Sequence, residues 1–297
     1  MSLSSTSPSV VQIQQYANTI YLLAQQMDTR LRGAVRVDTN WTGNTKFYDQ
    51  YNQDSMVELI TRYATTPVQL PSFARRAVSP RYFVSATLED PKDALQMIVD
   101  PKSTMMQAKI AAANRQTDDL IIAAMGGTAY TGQTGGTSVT FPAGQQITYN
   151  AFTNAGNGMS KAKVLAAKRL LDVAEVESED RFMVTGSAQI EDLLNTVEIT
   201  SSDYNVVKSL VQGEINTWVG FSFIRSERLL TDSSSNRDCY AFQRWALQLA
   251  IQKDIEGRLD ERVDLNMAWQ VYLRMCMNAT RLEELRIVQI ACAEATF

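Results

Sequence analysis

Histidine is absent from all 297 residues, which removes the commonest general base, proton shuttle and metal ligand together. A serine triad would lack its base, and no Gly-x-Ser-x-Gly elbow is present. Cysteine is scarce. Cys239, Cys276 and Cys292 are the only three, no two of them spaced as a Cys-x-x-Cys pair or a metal knuckle. They read as buried apolar thiols of a reducing compartment. No long apolar run occurs: the longest uncharged stretch, Ile121 to Ser160, is full of Gly, Thr, Asn and Gln, whose polar groups a bilayer would leave unsatisfied. No transmembrane span is expected. Met1 to Pro8 carries no positive charge, and Gln12, Gln14 and Gln15 interrupt the apolar positions after it, so a secretory signal is excluded. An excess of basic charge is missing too. Lys and Arg number 28 against 32 Asp and Glu, for a net charge of −4, and no global field exists to neutralise a nucleic-acid backbone.

With 45% apolar and 20% charged residues, the chain can bury a full core in one large domain or two smaller lobes. Its charges are unevenly placed. Leu59 to Leu88 holds Arg62, Arg75, Arg76 and Arg81 with no acid, whereas Asp172 to Asp192 holds seven acids, Glu175 and Glu177 among them, against Arg181 alone. Opposite patches on one chain point to docking between subunits.

Periodicity outlines the elements. Val10, Ile13, Ala17, Ile20, Ala24 and Met27 fall on one helical stripe; its two alanines make it thin, and it fits either a helix on its own core or an arm laid on a neighbour. From Ser55 to Glu89 a long two-stranded excursion is expected, because Tyr82, Val84, Ala86 and Leu88 alternate with their neighbours and Pro67 and Pro71 mark a tip. An isolated hairpin of this kind needs something to lie on. Pro101 to Gly126 has no internal glycine or proline and is rich in Ala, Met, Gln and Lys, predicting a long helix capped by Asp100 and ended by Gly126 and Gly127. Thr128 to Gly158 is glycine-rich and uncharged, with short strands expected at Val139 to Phe141 and Gln146 to Tyr149. A mixed lobe follows: helix Lys161 to Ala174, strand Phe182 to Thr185, helices at Ala188 to Asn195 and Asp203 to Val211, and a strand pair at Glu214 to Arg225 about Gly220. Ser233 to Ser235 reads as a turn. Met267 to Cys276 and Arg286 to Ala293 read as strands.

Chemistry is sparse. Gly156 to Lys161 is the nearest approach to a phosphate loop, but it lacks the Gly-x-x-x-x-Gly-Lys-Ser/Thr spacing, and Ser160 reads better as a helix cap. Asp254, Glu256, Asp260, Glu261 and Asp264 could supply a carboxylate-dependent hydrolase or hold a divalent ion. Interspersed Lys253, Arg258 and Arg262 favour a solvated, salt-bridged surface instead. Trp218, Phe221 and Phe223 read as sheet packing rather than a stacking platform.

The order of elements resembles the Hong Kong 97-type coat fold of tailed phages. Three stretches resemble parts of that fold: Gly213 to Ser226 its glycine-turn-strand passage, Cys239 to Ala246 its strand back to the peripheral domain, and Asn278 to Cys292 its closing strand. The resemblance implies an α+β chain divided into an N-arm (1–46), an E-loop hairpin (47–95), a P-domain with its spine helix (96–126), an A-domain (127–239) and return strands to the P-domain (240–297). It implies a major capsid protein, catalytically inert and without cofactor or metal, that assembles into hexamers and pentamers of an icosahedral shell around the phage genome. An encapsulin-like bacterial compartment shares the fold and stays open as an alternative. Expected partners are copies of the chain itself, a separate scaffolding protein, a portal, a decoration or cement protein, and packaged DNA bound without sequence specificity; no membrane is involved. The expected location is the virion, after assembly in the host bacterial cytoplasm. No lysine occurs from Phe47 to Pro91, so a Lys-to-Asn isopeptide cross-link from the hairpin is excluded. Arg62, Arg75, Arg76 and Arg81 are expected near the hairpin tip without nearby acids, docking on the Glu175, Glu177, Asp254, Glu256 and Asp260 surface of an adjacent subunit.

Overall fold

The computed structural model describes residues 23–39, 41–51, 54–63, 65–66, 68, 70, 72–89, 102–152, 157–194, 217–232 and 236–294. In chain order the strands and helices are β1 (Arg36–Thr39), β2 (Lys46–Tyr51), β3 (Phe73–Val78), β4 (Arg81–Glu89), α1 (Lys102–Gly126), β5 (Ala129–Thr131), β6 (Thr137–Val139), β7 (Gln146–Ile147) and α2 (Lys161–Val173). They continue with β8 (Arg181–Thr185), α3 (Ser187–Leu194), β9 (Thr217–Trp218), β10 (Phe221–Arg225), β11 (Asn236–Gln243), β12 (Leu247–Arg262), β13 (Ala268–Arg281) and β14 (Ile287–Ala293). The expected Asp100 cap, the helix Asp203 to Val211, the turn Ser233 to Ser235 and positions 10–22 of the N-terminal stripe lie outside the described residues. Residues 23–27, the end of that stripe, are irregular rather than helical.

Three sheets organise the chain. One has the order β1-β12-β13-β4, the second β7-β14-β11-β8-β10-β9, and the third β2-β3-β5-β6. Alternation along β13 is realised as a period of two in burial, with Val271, Leu273, Met275 and Met277 buried on one face. Helix α1 lies on that face. Gly257 of β12 lets it approach, since a Cβ there would fall 2.9 Å from the Met106 sulfur. In the second sheet β9 and β10 are joined by Val219 and Gly220, both at positive φ, the geometry a two-residue hairpin turn demands. Phe221 is buried there, with Trp218 and Phe223 packed against the same core, as expected of sheet residues. Helix α2 begins at Ser160, whose side chain accepts the Lys163 amide at 3.4 Å.

Two departures from the sequence reading matter. The hairpin consists of β2 and β3, paired from Lys46 opposite Val78 to Tyr51 opposite Phe73. Strand β4, whose alternation was the clearest sign of a hairpin arm, instead leaves it and pairs along its length with β13. Alternation reveals that a residue run is half-buried strand but not which strand it joins. The charged run around Asp254 to Arg262 is also strand: β12 extends 16 residues, buried on both faces over its first five and shifting register against β13 between Ile251 and Glu256. Those register shifts carry the strand out of the core.

The N-terminal segment is fastened to the middle of α1. Asp118 is fully buried and accepts hydrogen bonds from Gln26 Nε2 at 2.5 Å, the Arg30 amide at 3.0 Å and the Leu31 amide at 3.2 Å. One turn earlier, Asn114 donates to the Met27 carbonyl at 2.7 Å, and Arg115 donates to Gln25 Oε1 at 2.8 Å and to the Gln26 carbonyl at 3.1 Å. Leu31 and Val35 then enter the main core. Replacing Asp118 by Ala strands two backbone amides, and unfolding in denaturant should show a loss of roughly 1–3 kcal/mol. A neutral result would show that the segment is held by Leu31 and Val35 alone.

Candidate subunit interface

The four arginines expected at a hairpin tip occupy four different settings. Arg75 stands directly opposite Asp49 across the β2–β3 ladder, 2.5 Å from its carboxylate, with both side chains largely exposed. Arg76 is buried. Its guanidinium reaches both oxygens of Glu284, at 2.6 and 2.7 Å, and its Nε donates to the Leu282 carbonyl at 3.0 Å. Arg81 lies over the Phe83 ring at 5.5 Å, and neither it nor exposed Arg62 makes an ion pair among the described residues. The expectation of Arg75 and Arg76 as unneutralised tip charges is therefore corrected. Antiparallel register supplies Asp49 to one, and a fold contact 208 residues away supplies Glu284 to the other.

Glu284 serves a second guanidinium. Arg281 is wholly buried, 3.5 Å from Glu284, and donates to the carbonyls of Met125 (3.0 Å), Gly127 (2.8 Å) and Val139 (3.3 Å). Its planar group also lies 5.1 Å from the Phe141 ring centre. The C-terminus of α1, where carbonyls lack helical partners, thus receives a cation. Burial pushes the Arg281 guanidinium below its ordinary value, and Glu284 opposes that shift. Removing Glu284 leaves two buried cations uncompensated. Glu284→Ala should lose about 3–5 kcal/mol of unfolding free energy, while Asp49→Ala, which breaks the exposed pair, should lose at most about 1 kcal/mol. Equal losses would mean that the Arg76 pair is as solvated as the Arg75 pair.

The acidic side is also largely occupied within the chain. Asp254 is 2.6 Å from Arg32; Glu177 pairs with Arg286; Glu256 receives Arg274 at 2.8 Å, Lys253 at 3.1 Å and Arg258 at 3.2 Å. Glu175 and Asp260 are exposed and make no ion pair among the described residues. Asp264 is held by Arg262 at 2.5 Å, and Asp260 and Glu261, as successive residues of one strand, face opposite sides of the sheet. The arrangement is the salt-bridged surface expected rather than a pair of converging carboxylates. Among the described residues, no group of three or more Asp, Glu or Cys side chains is disposed to hold a metal, and no helix is long and apolar enough to cross a membrane.

Hydrogen bonds from Arg274, followed by Lys253, hold the Glu256 carboxyl down to about 2 against an ordinary 4.5. A depressed carboxyl stabilises the fold above its unfolded pKa, and that contribution is lost as pH falls toward the folded value. The stability difference between the native chain and Glu256→Gln should therefore shrink between pH 4.5 and 2. At neutral pH it should shrink again on adding salt, because the group is solvated. Denaturant titrations at pH 6 and pH 2 check this.

One feature escaped the charge-led sequence reading. Met56, Ile60, Tyr63, Val68 and Leu70, in the segment between β2 and β3, are each at least 85% exposed. Met56, Ile60 and Tyr63 are spaced at helical intervals and Val68 and Leu70 at a strand interval, but none of the five lies in a helix or strand, and the fold leaves each of them uncovered.

Similarity to solved structures identifies the class of fold. The capsid of the cyanophage P-SCSP1u superposes with a TM-score of 0.76 at 14% identity, over 98% of this chain and 96% of that one. The capsid of cyanophage Pam1 superposes at 0.74 and 12% identity, over 99% and 100%. The capsid of Ralstonia phage GP4 superposes at 0.73 and 10% identity, over 100% and 98%. This is the α+β coat fold of the Hong Kong 97 type. The family model for phage capsid protein matches residues 9–294, and the chain belongs to that family. Its role is accordingly structural rather than enzymatic. No curated protein matches the chain in sequence.

Proposed function

We propose that the chain is the major subunit of an icosahedral phage shell, assembling with its own copies into hexamers and pentamers around packaged DNA. The observation that carries this reading is the family match across residues 9–294, joined to a fold shared end to end with capsid subunits. On this reading residues 1–46 are the N-arm, 47–95 the E-loop, 96–126 the P-domain segment with the spine helix, 127–239 the A-domain and 240–297 the return strands. The β2–β3 hairpin, the 25-residue helix α1 and the long β12–β13 pair support those assignments. The pairing of β4 with β13 argues for moving the E-loop's end back to about residue 80. A separate scaffolding protein, a portal and a decoration protein complete the assembly, which forms in the host bacterial cytoplasm and ends in the virion.

Charge contributes to copy-to-copy contacts through groups that make no ion pair among the described residues, Arg62 and Arg81 on one side and Glu175 and Asp260 on the other. Arg75, Arg76, Glu177, Asp254 and Glu256 act first within the subunit. Negative-stain microscopy of the purified chain tests the shell reading: closed particles are expected, and a monomer under all assembly conditions overturns it. DNA rather than protein cargo separates a phage shell from an encapsulin-like compartment. Reversing both unpaired arginines, Arg62→Glu with Arg81→Glu, should slow particle formation several-fold at 50 mM salt and much less at 0.5 M. The subunit's circular dichroism should stay unchanged. A rate independent of salt would remove charge from the interface.

A further inference from the structure

We propose that Asn157 and Gly158 form a self-modifying site: the pair cyclises spontaneously with release of ammonia, and water then opens the ring chiefly to an iso-aspartyl link. They are the only Asn-Gly pair in the sequence. Asn157 is exposed, in a bend just before the Ser160 cap of α2, and its side-chain amide makes no hydrogen bond among the described residues. Residue 158 has to be glycine, because a Cβ there would overlap Asp192 Oδ2, which accepts the Met159 amide at 2.9 Å. That glycine leaves the attacking nitrogen unshielded. Its N–H has no acceptor among the described residues, so no hydrogen bond has to break before the nitrogen turns on the Asn157 side chain.

The carbonyl conjugated with that nitrogen is held by two donors, Lys163 Nζ at 2.9 Å and the Ala293 amide at 2.9 Å. Lys163 is fully buried and donates also to the carbonyls of Gly158 at 2.7 Å and Ala291 at 3.1 Å. Three acceptors engage all three hydrogens of an ammonium. A cation on an amide oxygen draws electrons from the conjugated nitrogen, so the Gly158 N–H gives up its proton to water more easily. The nitrogen then bonds to Asn157 Cγ, and the side-chain amide leaves as ammonia. The product is a neutral five-membered imide. Water adds next to one of its two carbonyls, and the one derived from the Asn157 main chain carries both donors, which stabilise the oxyanion formed there. Breaking its bond to the Gly158 nitrogen routes the chain through the side-chain carbon and leaves the former main-chain carbonyl as a carboxylate. Overall, amide and water become carboxylate and ammonia. Lys163, which makes no ion pair among the described residues, then donates to an anion where it had donated to a neutral oxygen.

The test holds the unmodified full chain at neutral pH and body temperature, samples it over days, and maps its peptides by mass spectrometry. A gain of about 1 Da assigned by fragmentation to residue 157 is expected, with isoaspartate, read by enzymatic methylation of its carboxylate, as the main product. The same chain unfolded in urea should convert several-fold more slowly and with a smaller iso-aspartyl share, because it lacks the two donors. Asn157→Gln should abolish the gain. Lys163→Met, with its fold checked by circular dichroism, should lower the rate several-fold and bring the iso-aspartyl share to that of the unfolded chain. If that variant does not fold, the comparison of folded with unfolded native chain decides alone. A folded chain that gains nothing at residue 157, or converts more slowly than the unfolded one, overturns the proposal, since the two hydrogen bonds would then protect the site. A folded Lys163→Met with unchanged rate and product ratio removes Lys163 from the chemistry. None of these outcomes bears on the shell reading, which microscopy tests.

Discussion

Glu284 sits between two guanidiniums that the fold has removed from water, and the placement of the chain's main parts depends on it. Through Arg76 it holds the β2–β3 hairpin; through Arg281 it reaches the last carbonyls of α1 and the strand end at Val139. A buried cation is tolerated only with a paired anion and filled donor positions. Here four donor contacts to carbonyls and a shared carboxylate supply the anion and most of the donor positions. The base of the hairpin is thereby tied to the longest helix by polar contacts with narrow geometry. Apolar packing alone would tolerate sliding.

The same economy of charge recurs across the molecule. Asp118 spends its lone pairs on the amides of the N-terminal segment, and Glu256 is surrounded by three cations on the outward face of the β12–β13 pair. Most of the charges first read as docking groups are satisfied inside the subunit, and among the described residues apolar side chains stay uncovered on β4 and between β2 and β3. The hairpin's lack of lysine removes one route to a covalent cross-link.

Much of this was readable before any coordinates. Helix α1 follows from 25 residues with no internal breaker, α2 from its Ser160 cap, β13 and β14 from alternation, and the β9–β10 turn from Gly220. These are local signals, set by backbone sterics and by which face of an element is apolar, and a few consecutive residues contain them whole. The absence of histidine and the missing nucleophile motifs likewise pointed away from catalysis without reference to shape.

Pairing partners were not readable, because they are relations between distant residues. Nothing near Arg76 in sequence announces Glu284, and nothing in the alternation of Tyr82 to Leu88 says that β13 rather than β3 lies beside it. The candidate interface changed for that reason: local counting left Arg75 and Arg76 as free charges, while register and packing neutralised both and exposed Met56, Ile60 and Leu70 instead. The sequence by itself determined the elements with unbroken local signals, α1, α2, β13 and β14, and the absence of histidine and of the usual nucleophile motifs, since both depend on local chemistry. Only the tertiary structure decided which charges are spent internally and which apolar side chains are left uncovered, since both depend on what the rest of the chain brings within a few ångströms.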